Sequence, residues 1–429
     1  MIKLIQSRFF KNASIYTVSD ILNKLVPFVL LPVLTRYLTP SDYGIISMFT
    51  VFTSILGVFI SLEMHGAISV KFFKITKEEL RVYIANVLLL VSITTSLVLV
   101  TILIFQSYIS NVLELPSEWL IIGVFVTCLT LFTTINLILW QSEHKPIPLG
   151  IYQITQTIFN LTLSLVLIVG FGMGWEGRLI AASAAAIMFG FLSFAFMMRR
   201  DFLKLKFNKT YIKDALKFGV PLLPHALSTW VRTGIDRVFL TMIVSTTATG
   251  LYTVGFQIAS VIMVLTVAFN KAYTPFLFEK LKEITSAQKT ILVKYVYLYF
   301  LGLSILAILL SLAAPYIVSF FLGKEFIESQ EYITWFAFGF AFYGMYSLIL
   351  NYVLFTQKTI YLSYVTLIIG LLHVALSYFF ISYNGTLGAV QANTVISIIT
   401  FFSVWWLSNK LLPMPWFYFI KLNNYKTKN

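Results

Sequence analysis

Twelve stretches of roughly 20 mostly apolar residues follow one another along this 429-residue chain, and that spacing decides its solvent. A helix rising 1.5 Å per residue needs about 20 such residues to cross about 30 Å of hydrocarbon. The stretches lie near 13–37, 43–62, 83–106, 119–140, 149–170 and 179–198, then near 216–243, 251–270, 292–313, 332–354, 360–382 and 387–407. Short polar or Gly- and Pro-containing breaks separate them. The chain is 59% hydrophobic and 11% charged, against about 45–50% and about 25% in a soluble domain. So few charges do not cover a water-facing surface. The sequence predicts an all-α integral membrane protein of about 12 transmembrane helices.

Charge sets the expected orientation. Of 31 Lys and Arg residues, 25 fall at the N-terminus, in or beside the alternate loops 63–82, 141–148, 199–215, 271–291 and 355–359, and in the C-terminal tail. Positive residues are retained in short cytoplasmic loops, so both termini are expected on the cytoplasmic side. The opposite loops carry Asp42, Glu114, Glu118, Glu176, Glu325, Glu328 and Glu331, opposed by Arg178, Lys324 and the boundary residue Arg36. The net charge of +14 therefore faces anionic lipid headgroups, and no nucleic-acid partner is expected. Lys3, Arg8 and Lys11 precede a first span that is too long, and with Asp20 and Lys24 too polar, for a signal-peptide core.

The two halves resemble each other. Thr39-Pro40-Ser41-Asp42-Tyr43-Gly44-Ile45-Ile46 reads against Ser245-Thr246-Thr247-Ala248-Thr249-Gly250-Leu251-Tyr252 at an offset of 206, and the segment around Lys145 reads against that around Lys358 at 213. Gly172 and Gly177 find Gly385 and Gly388 at about that distance. Six spans per repeat put the second on the same side as the first, which implies two parallel six-helix lobes around a central cavity. The expected division is a lobe at 1–198, a basic cytoplasmic linker at 199–215 that could form an interfacial amphipathic helix, and a lobe with a short tail at 216–429.

No Walker loop, dinucleotide-binding glycine pattern or His-Glu-x-x-His helix is present. The single cysteine, Cys128, excludes an internal disulfide and reads as packing. What remains is a few ionisable residues inside spans, where each is a functional candidate by default. Asp20 and Lys24, with Asn23 beside them, share one face of a first helix interrupted by Pro27 and Pro32. They read either as a structural ion pair or as cavity residues that meet substrate or a coupling cation. In the seventh span His225, Arg232 and Asp236 fall within about 20° of a common line at 100° per residue. Arg232 lies about 24 Å from the cytoplasmic end at 1.5 Å per residue, and its planar fork suits phosphate. Arg237 reads as a residue that snorkels to the outer interface.

The run Leu30-Leu31-Pro32-Val33-Leu34-Thr35-Arg36-Tyr37-Leu38-Thr39-Pro40-Ser41-Asp42-Tyr43-Gly44 resembles the N-terminal signature of bacterial polysaccharide-export flippases. These are the O-antigen, or Wzx-type, members of the multidrug/oligosaccharidyl-lipid/polysaccharide exporter superfamily. The resemblance extends through the basic linker to Asn384-Gly385-Thr386-Leu387-Gly388-Ala389 before the last span. It implies a transporter, not an enzyme, that moves an undecaprenyl-pyrophosphate-linked oligosaccharide across the bacterial inner membrane by alternating access. No cofactor is implied beyond a coupling cation such as H+ or Na+. Membrane lipids, a polysaccharide polymerase or glycosyltransferases are the expected partners. Within transport, the alternatives are a cation-coupled multidrug antiporter and a lipid II flippase. A membrane glycosyltransferase or polymerase is the alternative from another class, and it would need a large catalytic loop that is not apparent here.

Overall fold

The computed structural model describes residues 28 and 30–417, and those residues are helical almost throughout. Among them, nine helices are long and apolar enough to cross a membrane. Backbone N–H and C=O groups have no water to bond in hydrocarbon, so helices that satisfy them internally are the expected solution. Asp20, Asn23 and Lys24 lie outside the described residues.

The described chain divides into two compact units. The first runs to Thr253 and takes in Phe321–Phe326; the second comprises Val254–Phe320 and the chain from Ile327 onward. In the first, α1 (Pro40–Ser61) begins at a reciprocal cap: Thr39 Oγ1 accepts from Asp42 N at 3.1 Å while Asp42 Oδ2 accepts from Thr39 N at 2.8 Å, with Pro40 in the first turn. Such a cap satisfies orphan N–H groups and is worth about 1 kcal/mol. Leu62 and Glu63 have positive φ (43° and 56°), which ends α1 and turns the chain into a short helix, α2 (His65–Phe72). The same reciprocal cap, Thr76 with Glu79, starts α3 (Lys77–Ile104). A short helix α4 (Gln106–Leu113) follows, then α5 (Ser117–Ser142), α6 (Pro146–Leu165) ending in a π-helical turn at Val166–Gly170, and α7 (Gly174–Arg199). Fully buried Leu120, Val124, Ile135 and Leu139 of α5 fill the centre of this unit's core with Met48, Ile60 and Ile84.

The basic segment after α7 is strapped to this unit. Arg81 pairs with Asp201, Lys204 Nζ lies 3.2 Å from Glu78, and Arg200 pairs with Glu143 and donates to Asn136 at 2.8 Å. The Asn86 side chain donates to the Lys206 carbonyl at 2.8 Å and accepts from Asn208 N at 2.9 Å. Asn208 then caps α8 (Lys209–Gly219), whose apolar face of Tyr211, Ile212, Ala215 and Leu216 packs on the core. Its polar face holds Asp214, bonded to Lys71 at 2.8 Å and to the Tyr83 hydroxyl at 3.0 Å. An amphipathic helix buries its apolar stripe on whatever apolar surface is nearest, and here that surface is protein.

A 3₁₀ turn at Val220–Leu222 with Pro221 leads into α9 (Leu223–Ile243), and α10 (Thr246–Ala259) follows. The two motifs related at an offset of 206 meet here, at the starts of α1 and α10. A Cβ on Gly44 would lie 2.0 Å from the Thr246 carbonyl oxygen, and a Cβ on Gly250 would lie 1.7 Å from that of Pro40. Pro40 and Thr246, like Gly44 and Gly250, are equivalent in the repeat. The hydroxyls of Ser47 and Thr253, also equivalent, lie 2.9 Å apart. Such reciprocity is the signature of a local two-fold axis between the two helix starts.

In the second unit, α11 (Val261–Lys282), α12 (Ser286–Phe321, whose final residue belongs to the first unit) and α13 (Ser329–Phe355) precede α14 (Thr359–Leu411). The last covers the stretches expected near 360–382 and 387–407 as two helices joined at a kink, where Gly385 has φ 56° and ψ −132°. Polar side chains pin α11 to α13: Asn351 donates to Asn270 at 2.9 Å, Asn270 to Ser347 at 3.1 Å and Thr274 to Asn351 at 3.0 Å.

Gly44→Ala and Gly250→Ala each place a methyl group against backbone, an overpacking worth about 1–3 kcal/mol or more. Both variants should melt below the wild type in detergent. Gly302→Ala, whose Cβ meets nothing within 4 Å, should not. Equal melting temperatures for all three would refute the close crossing.

Candidate functional site

The helix α9 carries His225, Arg232 and Asp236 along one side of an unbroken helix. Its other side is anchored to α1, where Trp230 Nε1 donates to the Val51 carbonyl at 3.1 Å and a Cβ on Gly234 would come within 3.2 Å of Val51. Exposure falls along the stripe: His225 is exposed, Arg232 partly buried, and Asp236 only 2% exposed. Asp236 accepts from the Tyr252 hydroxyl at 2.8 Å. Arg237, read as a residue that snorkels, also has partners within the unit. It donates to the Thr233 carbonyl at 2.6 Å and to Thr253 Oγ1 at 3.3 Å, and its guanidinium sits 5.8 Å from the centre of the Tyr252 ring. Hydroxyl and π-face partners within the unit substitute for headgroups.

A second polar constellation escaped the sequence reading. Arg178, expected in an outer loop, lies on the second turn of α7, where its Nη1 donates to Asn160 Oδ1 at 2.7 Å and Ser164 Oγ at 3.1 Å. Gln153, Thr157, Asn160 and Ser164 are spaced i, i+4, i+7 and i+11 and so share one face of α6. That spacing was the available signal, in the least apolar of the nine candidate spans among the described residues.

An apolar cavity of about 660 Å³ opens between α1, α3, α4 and α9, lined by Val51, Phe52, Phe59, Leu97, Tyr108 and Trp230 among others. Its wall admits hydrocarbon and offers sugar hydroxyls almost no partners. Outside the spans, burial pushes the His65 imidazole below its usual pKa, against the opposing pull of Glu63, whose carboxylate lies 4.0 Å away.

The solved structures this fold matches are membrane transporters. It is similar to the lipid II flippase MurJ in an inward closed conformation, with TM-score 0.71, 15% identity, and 94% of this chain and 87% of that one covered. It is also similar to a MATE-family multidrug resistance transporter of the MOP superfamily in an inward-facing conformation, with TM-score 0.69, 13% identity, and 90% and 94% covered. The chain thus has the all-α fold of these multi-pass membrane transporters. It belongs to the polysaccharide biosynthesis protein family, whose sequence model matches residues 9–281. Among relatives, Lsg locus putative protein 1 of Haemophilus influenzae is 27% identical over 407 residues, covering 92% of this chain and 98% of that protein. Capsular polysaccharide biosynthesis protein CapF of Staphylococcus aureus is 25% identical over 359 residues, covering 77% and 82%.

Asp236→Ala deletes a buried charged acceptor of the Tyr252 hydroxyl and should lower stability by about 1–3 kcal/mol. Tyr252→Phe should overlap with it non-additively in a double-mutant cycle read by thermal unfolding. Strict additivity would show that the two groups do not interact.

Proposed function

We propose that this protein is a flippase that carries an undecaprenyl-pyrophosphate-linked oligosaccharide repeat unit from the cytoplasmic to the periplasmic leaflet of a bacterial inner membrane. The observation that carries the reading is the family match over residues 9–281 on a fold shared with a lipid II flippase. A pyrophosphate and several sugars are not soluble in hydrocarbon, so a protein must replace their water while the lipid tail stays in the bilayer.

In this reading twelve spans form two six-helix lobes around a cavity, with both termini cytoplasmic. The first predicted span, α9, and the two halves of α14 complete the candidate spans among the described residues. Arg232, with Lys24, offsets phosphate charge, and His225, Asp236, Asp20 and Asn23 complete the polar lining. Alternating access moves the headgroup. Outward movement of one negative charge down an inside-negative potential releases about 2.3 kcal/mol per 100 mV, and an inward H+ or Na+ is the other source of drive. Membrane lipids surround the chain, and a polymerase or glycosyltransferases work next to it.

Deleting the gene should leave complete lipid-linked oligosaccharide on the cytoplasmic face and remove surface polysaccharide. Normal polysaccharide with raised drug sensitivity would favour a cation-coupled multidrug antiporter instead. Arg232→Ala should abolish surface polysaccharide at normal protein level, with Arg232→Lys restoring it in part. Full export by the Ala variant would remove Arg232 from the site.

A further inference from the structure

Arg178 is a charge set in a helix that is apolar enough to cross a membrane, where an arginine normally finds an anionic partner or a wet cavity. Its bonded partners here are neutral. None of the Lys or Arg ion pairs among the described residues includes Arg178. Two acceptors on Nη1 leave the Nε and Nη2 hydrogens of a five-donor group without an acceptor among the described residues. Nearby, the Tyr43 side chain is 6% exposed, its hydroxyl has no hydrogen-bond partner, and it lies within electrostatic reach of Arg178. Farther along the same face of α6, the buried Gln153 Oε1 is also unpartnered.

The backbone is shaped to hold the arginine there. The π-helical turn Val166–Gly170 ends α6, and Gly172 (φ 66°) and Gly174 (φ 57°) reverse the chain in left-handed conformations. This brings the start of α7 back over Ser164, and π-turns of this kind recur at functional positions. Asp42, whose Oδ1 would lie 4.0 Å from a Cβ on Gly174, has its Oδ2 committed to the Thr39 cap.

The internal repeat sharpens the point. The offset of 213 that aligns Lys145 with Lys358 sets Asn160 against His373, Ser164 against Ser377 and Arg178 against Gln391. Polar residues recur in both copies, and the cation occurs in one.

From this geometry we infer that Arg178, with Asn160, Ser164 and Tyr43, forms a receiving site for a single carboxylate, of the kind an acidic sugar carries. The Nε/Nη2 edge matches a planar carboxylate through two parallel hydrogen bonds, and the Tyr43 hydroxyl can donate to a further lone pair. One positive charge neutralises one negative charge. A phosphate monoester or pyrophosphate would leave excess negative charge here, because no second cation bonds to the Asn160 and Ser164 side chains among the described residues. That the carboxylate belongs to a translocated glycan rests on the flippase reading; binding of the carboxylate does not.

The test is thermal unfolding of the purified full-length protein in detergent at constant ionic strength, with sodium glucuronate, glucose, sodium phosphate and sodium chloride as probes. A ligand that binds the native state raises its melting temperature with concentration. Glucuronate should do so, and glucose, phosphate and chloride should not. Arg178→Gln should weaken the apparent glucuronate affinity at least tenfold. Asn160→Asp should do the same by supplying an internal carboxylate, and it carries the test if Arg178→Gln does not fold. An unchanged glucuronate response in either folded variant, no response in the wild type, or an equal response to phosphate or chloride overturns the inference. A deletion strain with normal polysaccharide would sink the flippase reading and leave the glucuronate result standing.

Discussion

The starts of α1 and α10 touch backbone to backbone, and the geometry of the first unit follows from that contact. At the separations found for Gly44 and Gly250, each glycine Cα–H faces the carbonyl of the other helix. Such contacts are worth perhaps 0.5–1 kcal/mol each and demand the smallest side chain. Inside a membrane, association gains little from the hydrophobic effect, so close approach and interhelical polar contacts must supply it. The Ser47 and Thr253 hydroxyls supply one such contact within a turn of the glycines. Arg237 then donates to Thr253, and its neighbour Asp236 accepts from Tyr252. The C-terminal part of the α9 polar stripe is therefore held by the same crossing that brings the two motifs together.

Polar side chains follow two different rules in this chain. Between α11 and α13, Asn270, Thr274, Ser347 and Asn351 satisfy one another and act as cross-links. Along the 199–215 segment, charges pair with residues at the ends of α3 and α5, with Asp214 taking both Lys71 and Tyr83. Networks of this kind fix geometry because each charge has an opposite charge or a polar group against it, although the Nε of Arg81 and of Arg200 stays without a hydrogen-bond partner. Arg178 and Tyr43 follow the other rule, since donors remain uncommitted where neighbouring groups are neutral. Incomplete satisfaction distinguishes a binding feature from a structural one more reliably than charge alone.

Much of this was legible in the sequence. The Thr39-Pro40-Ser41-Asp42 run specifies a capped helix start by local chemistry, and the cap is present. The 206-residue offset reappears as reciprocal contacts because equivalent residues make equivalent surfaces. The α9 stripe needed only the helical period. Arg178 was missed for a local reason: the chain turns tightly at Gly172 and Gly174, so α7 begins at Gly174 rather than near 179, and the extra turn moves the arginine from loop to helix interior. An amphipathic pattern states that one face is apolar and is silent on whether lipid or protein covers it, which here is settled by Tyr211, Ile212 and Leu216 on the core. The stretches expected near 360–382 and 387–407 are present as two helices, and the Gly-rich turn between them was legible because Gly385 takes a positive φ that breaks the helical path.

A duplicated fold begins with two copies of every polar position, and a transporter of one substrate gains from making them different. At Ser164 and Ser377 both copies keep a small, fully buried polar residue. Where one copy carries Arg178 and the other Gln391, a permanent cation with five donors stands against a shorter neutral amide that both donates and accepts. A permanent cation set among neutral partners in an apolar helix is unfavourable unless something anionic visits it or water reaches it.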